Sequence, residues 1–472
     1  MKKQQIGIVG MAVMGKNLAL NISDHGFSIA IFNRTVSTAE EVAKENPKKD
    51  IVVGKSAQDF VEALEKPRKI ILMVKAGKAV DDTIANLLPY LDEGDLLIDA
   101  GNSHYLDTIR RQKELEAKQF RFMGMGVSGG EEGARRGPAI MPGGKYESYL
   151  LIQDVLKAIA AKAEGEPCTS YIGNDGAGHY VKMVHNGIEY GDMELISEAY
   201  SILKKLGGFT NQELSEIFSN WNQGVLESYL IEITALILKE KDDFSDNDLI
   251  DVIKDTAGQK GTGIWTSKEA MDLGIDVSVI SSAVNSRFIS SIDVQRAQAA
   301  KRLTGPQIQP TPDRDRLVAQ VMAALYASKI VSYAQGFALL KTAAKQNNWE
   351  LDYQAIAKLF RGGCIIRARF LNRIAEAFTN QPQLENLLLD DHFTQIVSQA
   401  QQDWREVVGL AIANGIPAGA FAAAITYYDA YRSEHYHTNL IQAQRDFFGA
   451  HTYQRRDRDG FFHHEFPATE ND

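Results

Sequence analysis

Cysteine is scarce in this sequence. Only Cys168 and Cys364 occur among 472 residues, and they lie far apart along the chain. Metal-binding and redox motifs place cysteines only a few residues from one another. The two thiols therefore indicate no such site, and we expect both to be small buried hydrophobic side chains.

Long apolar runs are missing as well. The longest candidates, such as residues 69–74, have the length of a strand, whereas a membrane-spanning helix needs about 20 apolar residues. The N-terminus has neither the apolar stretch nor the cleavage site of a signal peptide. We expect a cytoplasmic protein with no membrane partner.

An excess of positive charge is the third absence. The formal net charge is −10 at pH 7, while 44% hydrophobic and 24% charged residues are ordinary for a globular protein of two to three domains. An acidic chain is not typical of nucleic-acid binding, so we expect no such partner. An anionic substrate has to be held by a locally basic pocket.

A dinucleotide-binding fingerprint is present near the N-terminus. A strand is predicted over residues 4–9 and a helix from Lys16, and between them the chain reads Gly10, Met11, Ala12, Val13, Met14 and Gly15. Gly10 permits the tight turn, Ala12 leaves room for a pyrophosphate, and Gly15 lets the helix pack on the strand. Free N–H groups at the helix N-terminus then face the phosphates.

The choice of cofactor depends on the end of the next predicted strand, residues 28–32. It is followed by Asn33, Arg34 and Thr35, about twenty residues after the glycine loop. An NAD-dependent enzyme usually has Asp or Glu there to bind the ribose hydroxyls. Arg34 can instead form paired hydrogen bonds to a 2′-phosphate, so the sequence predicts NADP.

Strand and helix patterns alternate as far as residue 173 and predict a doubly wound parallel sheet. Loops that follow successive strands should face one ligand crevice. Their candidate binding residues are Val74, Lys75, Ala76, Asn102, Ser128, Gly129 and Gly130. Residues 137–144 predict a turn-rich passage, residues 146–162 a helix, and residues 170–173 a last strand.

One long helix is predicted from Gly178 to the glycine pair at 207–208. Helical spacing puts four polar residues on one face: Lys182, His185, Asn186 and Glu189. A solvated stripe is the alternative, but His and Asn are poor solubilising residues. Gly187 costs about 1 kcal/mol relative to alanine inside a helix, which indicates a close approach there. We therefore predict a site that presents an acid and a base to one ligand.

Amphipathic helices follow this stretch, and the predicted domains are residues 1–177, 178–438 and 439–472. Residues 198–204 resemble 335–341, and residues 221–226 resemble 360–365. These matches indicate a duplicated helical unit. The last segment is rich in aromatic residues, unlike a disordered tail, so we expect it to dock, most simply on a second copy of the chain.

Two cations in the helical region are candidates for anion binding. Lys260 lies in a polar, glycine-rich loop over residues 255–266, and Arg287 follows it. The loop does not have the spacing of a P-loop. The histidine pairs near the C-terminus lack a third ligand at familiar spacing, so we predict no metal.

Taken together, these motifs resemble the decarboxylating 6-phosphogluconate dehydrogenase family over essentially the whole chain. The resemblance is carried by residues 10–15, 33–35, 129–135, 182–190, 258–263 and 444–451. It implies an α/β Rossmann-like N-terminal domain, a large all-α domain with a duplicated helical unit, and a C-terminal tail. It also implies a homodimer whose tails complete each other's active sites, and NADP-dependent oxidation of 6-phosphogluconate to ribulose 5-phosphate and CO₂ in the pentose phosphate pathway.

The resemblance implies a role for each matching residue. Lys182 is implied as the general base at the 3-hydroxyl, and Glu189 as the acid that protonates C1 of the enediol. The substrate carboxylate is expected at Ser128, Gly129 and Gly130, and the hydroxyls at Asn102, His185 and Asn186. The residues implied at the 6-phosphate are Tyr190, Lys260, Arg287 and, from the other subunit, Arg445 and His451. No metal is implied, because a β-keto acid already has its electron sink.

Two other functions stay open. A non-decarboxylating 3-hydroxyacid dehydrogenase would share the cofactor domain and the pair Lys182 and Asn186, but it would need neither the phosphate-binding cations nor the tail. An NADP-binding sensor without turnover would keep the glycine loop and lose Lys182 or Glu189, and both are present.

Overall fold

The computed structural model describes residues 2–467. It contains two compact units, and the chain passes from the first to the second between Ala424 and Ile425. The domain boundaries expected at 177/178 and 438/439 stay predictions, since they divide the chain by type of secondary structure. Cys168 and Cys364 are free and buried, as predicted.

A seven-stranded sheet forms the N-terminal part of the first unit. Its strands are β1 (Ile6–Val9), β2 (Ile29–Phe32), β3 (Ile51–Val53), β4 (Lys69–Leu72), β5 (Leu96–Asp99), β6 (Arg121–Ser128) and β7 (Ala139–Gly144). Their spatial order is β3-β2-β1-β4-β5-β6-β7. The pairings from β3 to β6 are parallel, as predicted, and β7 pairs with β6 in the antiparallel sense.

Helices connect these strands and cover both faces of the sheet. They are α1 (Val13–Asp24), α2 (Val36–Glu45), α3 (Ala57–Glu62), α4 (Lys78–Leu87), α5 (Tyr105–Glu116), α6 (Gly130–Arg136), α7 (Tyr146–Leu150) and α8 (Gln153–Ile159). Alternate residues of β1 show why two cores form: Ile6 and Ile8 pack in one apolar cluster, and Val9 packs in the other. A short hairpin, β8 (Lys162–Ala163) and β9 (Glu166–Pro167), precedes the helical region.

Three predictions in this region were wrong. Residues 137–144 contain β7 instead of a turn-rich passage, because the glycines there serve helix packing: a Cβ on Gly143 would lie 2.3 Å from the backbone N of Gly178. Residues 170–173 form no strand, and Gly173 makes only an isolated bridge to Gly143. The helix expected over residues 146–162 is divided into α7 and α8.

The remaining helices of the first unit build the helical region. They are α9 (Ala177–Gly207), α10 (Asn211–Trp221), α11 (Tyr229–Ile237), α12 (Leu249–Val252), α13 (Thr262–Asp272), α14 (Ser278–Ser291), α15 (Asp293–Ala300), α16 (Arg314–Asn347), α17 (Tyr353–Leu359), α18 (Leu371–Asn380) and α19 (Asp391–Ala413). A long helix followed by two short ones occurs twice, as α9–α11 and as α16–α18. Ser228 before α11 pairs with Ala368 before α18 in an antiparallel bridge.

The long helix α9 has the predicted extent and ends where Gly208 adopts a left-handed conformation, with φ of 61°. Its first turns pack directly on β6 and β7, because glycines leave room for the helix. A Cβ on Gly126 would lie 2.5 Å from Cβ of Lys182, and one on Gly178 would lie 2.3 Å from the carbonyl O of Met141. Further along, a Cβ on Gly187 would lie 2.7 Å from Cγ2 of Thr266, so the close approach predicted there is confirmed.

Helix α16 packs along α9. It is the one described helix long and apolar enough to cross a membrane, and 78% of its most apolar window is buried inside the structure. The sequence predicted amphipathic helices in this region, but no apolar run of this length. The burial of α16 is that of a core helix.

The second compact unit begins within α20 (Gly419–Tyr431) and contains α21 (Thr438–Gly449) and a hairpin of β10 (Tyr453–Gln454) and β11 (Phe461–Phe462). Asp446, which is fully buried, accepts hydrogen bonds from the backbone N–H groups of Thr452 and His464 and from the His463 ring. Burial opposes ionisation, but these donors hold the pKa of Asp446 below its ordinary value. The tail therefore has an ordered polar centre of its own. Of the expected tail, residues 468–472 lie outside the described residues.

Candidate active site

The glycine loop after β1 is a tight turn in which side chains do not fit. Gly10 has φ of 97°, and a Cβ there would lie 2.4 Å from the carbonyl O of Met73. A Cβ on Gly15 would lie 1.8 Å from the carbonyl O of Gly10. Ala12 is the N-cap of α1 and makes no side-chain capping hydrogen bond, so the first N–H groups of this helix remain open to a phosphate. The loop therefore fits the pyrophosphate of a dinucleotide.

Asn33 and Arg34 follow β2 and make very different contacts. Oδ1 of Asn33 accepts a hydrogen bond from Met11 N–H at 3.0 Å, and its Nδ2 donates to the carbonyl of Thr35 at 3.0 Å. Asn33 thus holds the glycine loop against the end of β2. Arg34 is exposed and has no hydrogen bond or ion pair to another described residue. Its guanidinium is therefore available for a phosphate.

The loops after β4 and β5 lie at the same edge of the sheet. Val74 borders the glycine loop, since its Cγ1 would lie 3.0 Å from a Cβ on Gly10, and the adjoining Lys75 is exposed. Asn102 is also exposed. Its loop is shaped by the buried Asp99, whose carboxylate accepts hydrogen bonds from Gly101 N–H and Ser103 Oγ. The sheet thus brings the predicted cofactor residues to one edge.

Strand β6 ends at Ser128, which leads into two glycines with positive φ. These angles are 113° at Gly129 and 62° at Gly130, a conformation that favours glycine. The buried Oγ of Ser128 lies 3.5 Å from Nε2 of His185, which joins this loop to the face of α9. Gly130 is exposed, so its backbone can contact a ligand.

The polar stripe predicted on α9 is a connected and largely buried network. Nζ of Lys182 donates to Oδ1 of Asn186 at 2.8 Å, and Nδ1 of His185 lies 3.1 Å from the same oxygen. Asn186 is fixed in turn by Thr262, whose Oγ1 accepts from Nδ2 at 3.2 Å. In this arrangement Nδ1 of His185 carries the proton, and Nε2 is an acceptor that faces Ser128. The side chain of Glu189 is 20% exposed, and its Oε2 lies 3.8 Å from Nδ1 of His185.

Burial favours the neutral form of each titratable group on this face. It lowers the pKa of Lys182, although the carboxyl of Glu189 and the thiol of Cys364 oppose the shift. Burial and the neighbouring Lys182 hold the pKa of His185 well below its ordinary value. Burial also raises the pKa of Glu189, against the attraction of Lys182 and Arg287. The stripe therefore presents an amine that can accept a proton and a carboxyl that can donate one.

A cationic side chain, Arg287, lies next to the stripe and against Tyr190. The guanidinium carbon of Arg287 lies 3.5 Å from the centre of the Tyr190 ring, and its NH1 donates to the carbonyl of Gly258 at 3.1 Å. Lys260, two residues further along that loop, is exposed. Arg287 makes no ion pair with a carboxylate of the described chain, so its charge is available to an anion.

Sequence reasoning missed a segment that lines this site, residues 360–367. The Phe360 ring meets the His185 ring edge-on, with centroids 5.1 Å apart. The carbonyl O of Gly363 accepts from Ala139 N–H at 2.8 Å and lies 2.4 Å from where a Cβ on Gly129 would be. The glycine pair at 362–363 was the one sequence feature that indicated a close approach here. It was interpreted only as part of the internal repeat. Thr262 was not predicted as a site residue either, because its hydrogen-bond partner, Asn186, lies on another helix.

The other predicted residues lie elsewhere or are untested. Arg445 and His451 belong to the second compact unit, where both are exposed and Arg445 contacts Gln442. Their part in the site stays a prediction. Among residues 2–467, no three His, Cys, Asp or Glu side chains are grouped as metal ligands.

Two family models match the chain and together cover most of it. The model described as 6-phosphogluconate dehydrogenase, C-terminal domain, matches residues 178–466. The model described as the NAD binding domain of 6-phosphogluconate dehydrogenase matches residues 5–173.

Similar proteins and structures span the same length. The NADP⁺-dependent, decarboxylating 6-phosphogluconate dehydrogenase of Bacillus subtilis is 56% identical over 467 residues, which are 99% of this chain and 100% of that protein. The decarboxylating 6-phosphogluconate dehydrogenase of Escherichia coli K12 shows the same identity and coverage. A solved structure of Plasmodium falciparum 6-phosphogluconate dehydrogenase, studied in its apo form and with NADP⁺ or 6-phosphogluconate, is 45% identical with a TM-score of 0.95 and covers 98% of this chain and 100% of that one.

Proposed function

This chain belongs to the 6-phosphogluconate dehydrogenase family, and we propose that it converts 6-phosphogluconate to ribulose 5-phosphate and CO₂ with NADP⁺ as the oxidant. The observation that carries this proposal is the pair of Lys182 and Glu189 on one buried face of α9, each with its neutral form favoured. Oxidation of an alcohol needs a base, and the enediol left by decarboxylation needs an acid. The alternative, a non-decarboxylating 3-hydroxyacid dehydrogenase, is not favoured, because relatives at 56% identity are named as decarboxylating enzymes.

Lys182 acts first as the base. Its neutral amine takes the proton of the 3-hydroxyl, and its hydrogen bond to Asn186 keeps Nζ aimed. When bound, NADP⁺ supplies the acceptor for the hydride that leaves C3. The ammonium of Lys182 then donates to the new 3-keto oxygen, which draws in the electron pair of the C1–C2 bond as CO₂ departs.

Glu189 acts last, as the acid. Loss of CO₂ leaves an enediol, whose terminal carbon becomes C1 of the product. The carboxyl of Glu189 gives this carbon a proton, while Lys182 takes back the proton of the neighbouring enediol hydroxyl so that the ketone forms. Burial keeps Glu189 protonated for this step, since it raises the pKa of its carboxyl.

The surrounding residues bind the two ends of the substrate. The positive-φ turn at Ser128, Gly129 and Gly130 receives the carboxylate, and His185, Asn186 and Asn102 contact the hydroxyls. Arg287 and Lys260 bind the 6-phosphate, with the Tyr190 ring supporting Arg287. No carboxylate of the described chain is paired with Arg287, which suits it to phosphate.

The phosphate requirement tests this assignment. The purified protein is expected to turn over 6-phosphogluconate with kcat/KM about 100-fold or more above that for gluconate, since charged hydrogen bonds contribute about 1.5–3 kcal/mol each. Spectrophotometric NADPH formation with both substrates measures the ratio. Equal efficiency with gluconate would show that the cations do not bind the substrate.

Arg34 is expected to set the preference for NADP⁺. An Arg34→Ala variant loses a charge-assisted pair to the 2′-phosphate, so kcat/KM for NADP⁺ should fall about 10- to 100-fold and that for NAD⁺ should hardly change. Initial rates with each cofactor at saturating substrate give both values. The matched control is Arg302→Ala, another exposed arginine, and equal losses for NADP⁺ and NAD⁺ at Arg34 would contradict the assignment.

We also propose that the active enzyme is a homodimer in which each tail completes the other subunit's site. This is supported by apolar side chains on α21 that the single chain leaves in solvent: Leu440, Ile441, Phe447 and Phe448 are 63%, 51%, 45% and 72% exposed. A second copy is the simplest surface to cover them. Arg445 and His451 on the same tail would then reach the partner's bound phosphate.

Complementation between two inactive variants tests this exchange. The Lys182→Met homodimer and the Arg445→Ala homodimer are each expected to be poorly active. In a mixed dimer, the Arg445→Ala chain supplies an intact Lys182 and the Lys182→Met chain supplies an intact tail. These two parts together form one complete site. Random pairing should restore about a quarter of the wild-type activity. Two different affinity tags isolate the mixed dimer, and no recovery of activity in it would mean that the tail acts on its own chain.

A further inference from the structure

A buried charge pair lies one helical turn beyond Glu189. Asp192 on α9 and Lys329 on α16 are each 1% exposed, and Nζ of Lys329 lies 2.6 Å from Oδ2 of Asp192. A buried ion pair is often worth no more to stability than an apolar pair of the same volume. Stability alone therefore does not explain why two charges are placed in the core beside the acid.

Tyr333 connects this pair to the segment that lines the substrate loop. Its buried hydroxyl lies 3.2 Å from Oδ2 of Asp192 and 3.2 Å from the carbonyl O of Ile366. A hydroxyl has one proton to donate, so the two acceptors share it. Ile366 belongs to the 360–367 segment, whose Gly363 and Phe360 contact the Gly129 turn and His185. The pair is thus connected to two elements that line the site, α9 and the 360–367 segment.

We propose that Asp192, Lys329 and Tyr333 form a positioning cluster for Glu189, in which a balanced charge pair sets the electrostatic field at the Glu189 carboxyl and Tyr333 holds α9 to the 360–367 segment. None of the three residues is assigned contact with the substrate or the cofactor. The inference rests on the acid role of Glu189 proposed above. It adds a second contribution, beside burial, that opposes the attraction of Lys182 and Arg287 for the Glu189 carboxylate.

The field at Glu189 comes from four structural elements: α9, α14, α16 and the 360–367 segment. The charged or titratable groups that face it are Lys182, His185, Asp192, Arg287, Tyr333 and Cys364. Burial is the largest cause of the raised pKa of Glu189, and the Asp192 carboxylate adds to it against Lys182 and Arg287. Burial raises the pKa of Asp192 itself, and the Lys329 ammonium and the Tyr333 hydroxyl oppose that shift. Removing the Asp192 charge alone would leave the buried Lys329 ammonium without its counter-charge.

The test follows the exchange of a C1 hydrogen of ribulose 5-phosphate with D₂O, recorded by NMR on the full-length enzyme with NADPH present. In this direction Glu189 removes a proton from C1, so the exchange rate rises as pH increases through the pKa of Glu189. Asp192→Asn is expected to move this rise to lower pH by about one unit, because it removes the anion that opposes ionisation of Glu189 and leaves Lys329 without its counter-charge. The double variant Asp192→Asn/Lys329→Met removes both charges and should recover most of the shift.

Each comparison can contradict the proposal. An unshifted profile in folded Asp192→Asn, or the same shift in the double variant, would show that the pair has only a structural role. If Asp192→Asn does not fold, Lys329→Met decides: it leaves the Asp192 carboxylate without its cation, so the rise should move to higher pH, and an unshifted profile or a shift to lower pH would overturn the proposal. Glu189→Gln is measured in parallel, since undiminished exchange in that variant would refute the acid role of Glu189 instead of the cluster.

Discussion

Replacing Lys182 with methionine should lower kcat for NADPH formation about 10,000-fold, the upper end of the range for acid–base groups. The expected loss is large because one amine takes the hydroxyl proton, polarises the keto oxygen and assists the final proton transfer. Methionine is unbranched and only one atom shorter than lysine, so it should pack at the same buried position against Gly126. The lost transition-state stabilisation corresponds to about 5 kcal/mol.

Rapid-mixing absorbance measurements and a binding titration check this result together. NADPH should bind Lys182→Met as it binds the wild type, since the glycine loop does not contain Lys182. Lys205→Met is the matched control, because Lys205 is an exposed lysine on the same helix, and its rate should not change. A Lys182→Met enzyme with more than a tenth of the wild-type rate would require a different base.

Replacing Glu189 with glutamine should lower steady-state turnover about 1,000-fold by a different route. Glutamine keeps the shape of the side chain but cannot give the enediol a proton. Oxidation and loss of CO₂ precede this step, so the first turnover should still occur. The expected record is a burst of about one NADPH per active site, followed by a very slow phase.

The burst separates the two roles on α9. Lys182→Met should show no burst, because its defect comes before hydride transfer, and Glu189→Gln should show a full one. Glu216→Gln, an exposed carboxyl on α10, serves as the control and should behave as the wild type. A Glu189→Gln enzyme without a burst would place Glu189 before oxidation and contradict the assigned order.

Local patterns in the sequence were enough to predict the parts of the site that lie on single elements. The glycine loop was recognised because Gly10 and Gly15 flank a strand-to-helix turn, and the α9 stripe because helical periodicity alone aligns Lys182 with Glu189. Gly187 was informative in the same way: its cost inside a helix indicated a close neighbour, which is Thr266.

Contacts between distant elements were not predictable from such patterns. Glycines at 137–144 resembled a turn, although they let α9 pack on β7. The 360–367 segment was noted for its repeat, but its place behind Gly129 depends on the packing of β7. Asp192 and Lys329 are 137 positions apart in sequence, and each resembles an ordinary surface charge until α9 and α16 are packed together.

The ratio of CO₂ to NADPH tests the central claim most directly. The full-length enzyme is mixed with 6-phosphogluconate labelled at C1 and with NADP⁺, and trapped CO₂ is compared with absorbance at each time. The proposed chemistry predicts one CO₂ for each NADPH throughout the reaction, because the keto acid loses its carboxylate in the same site. NADPH without CO₂ would instead identify a simple hydroxyacid dehydrogenase and contradict the assignment of Glu189 and the Lys182 ammonium to steps after oxidation.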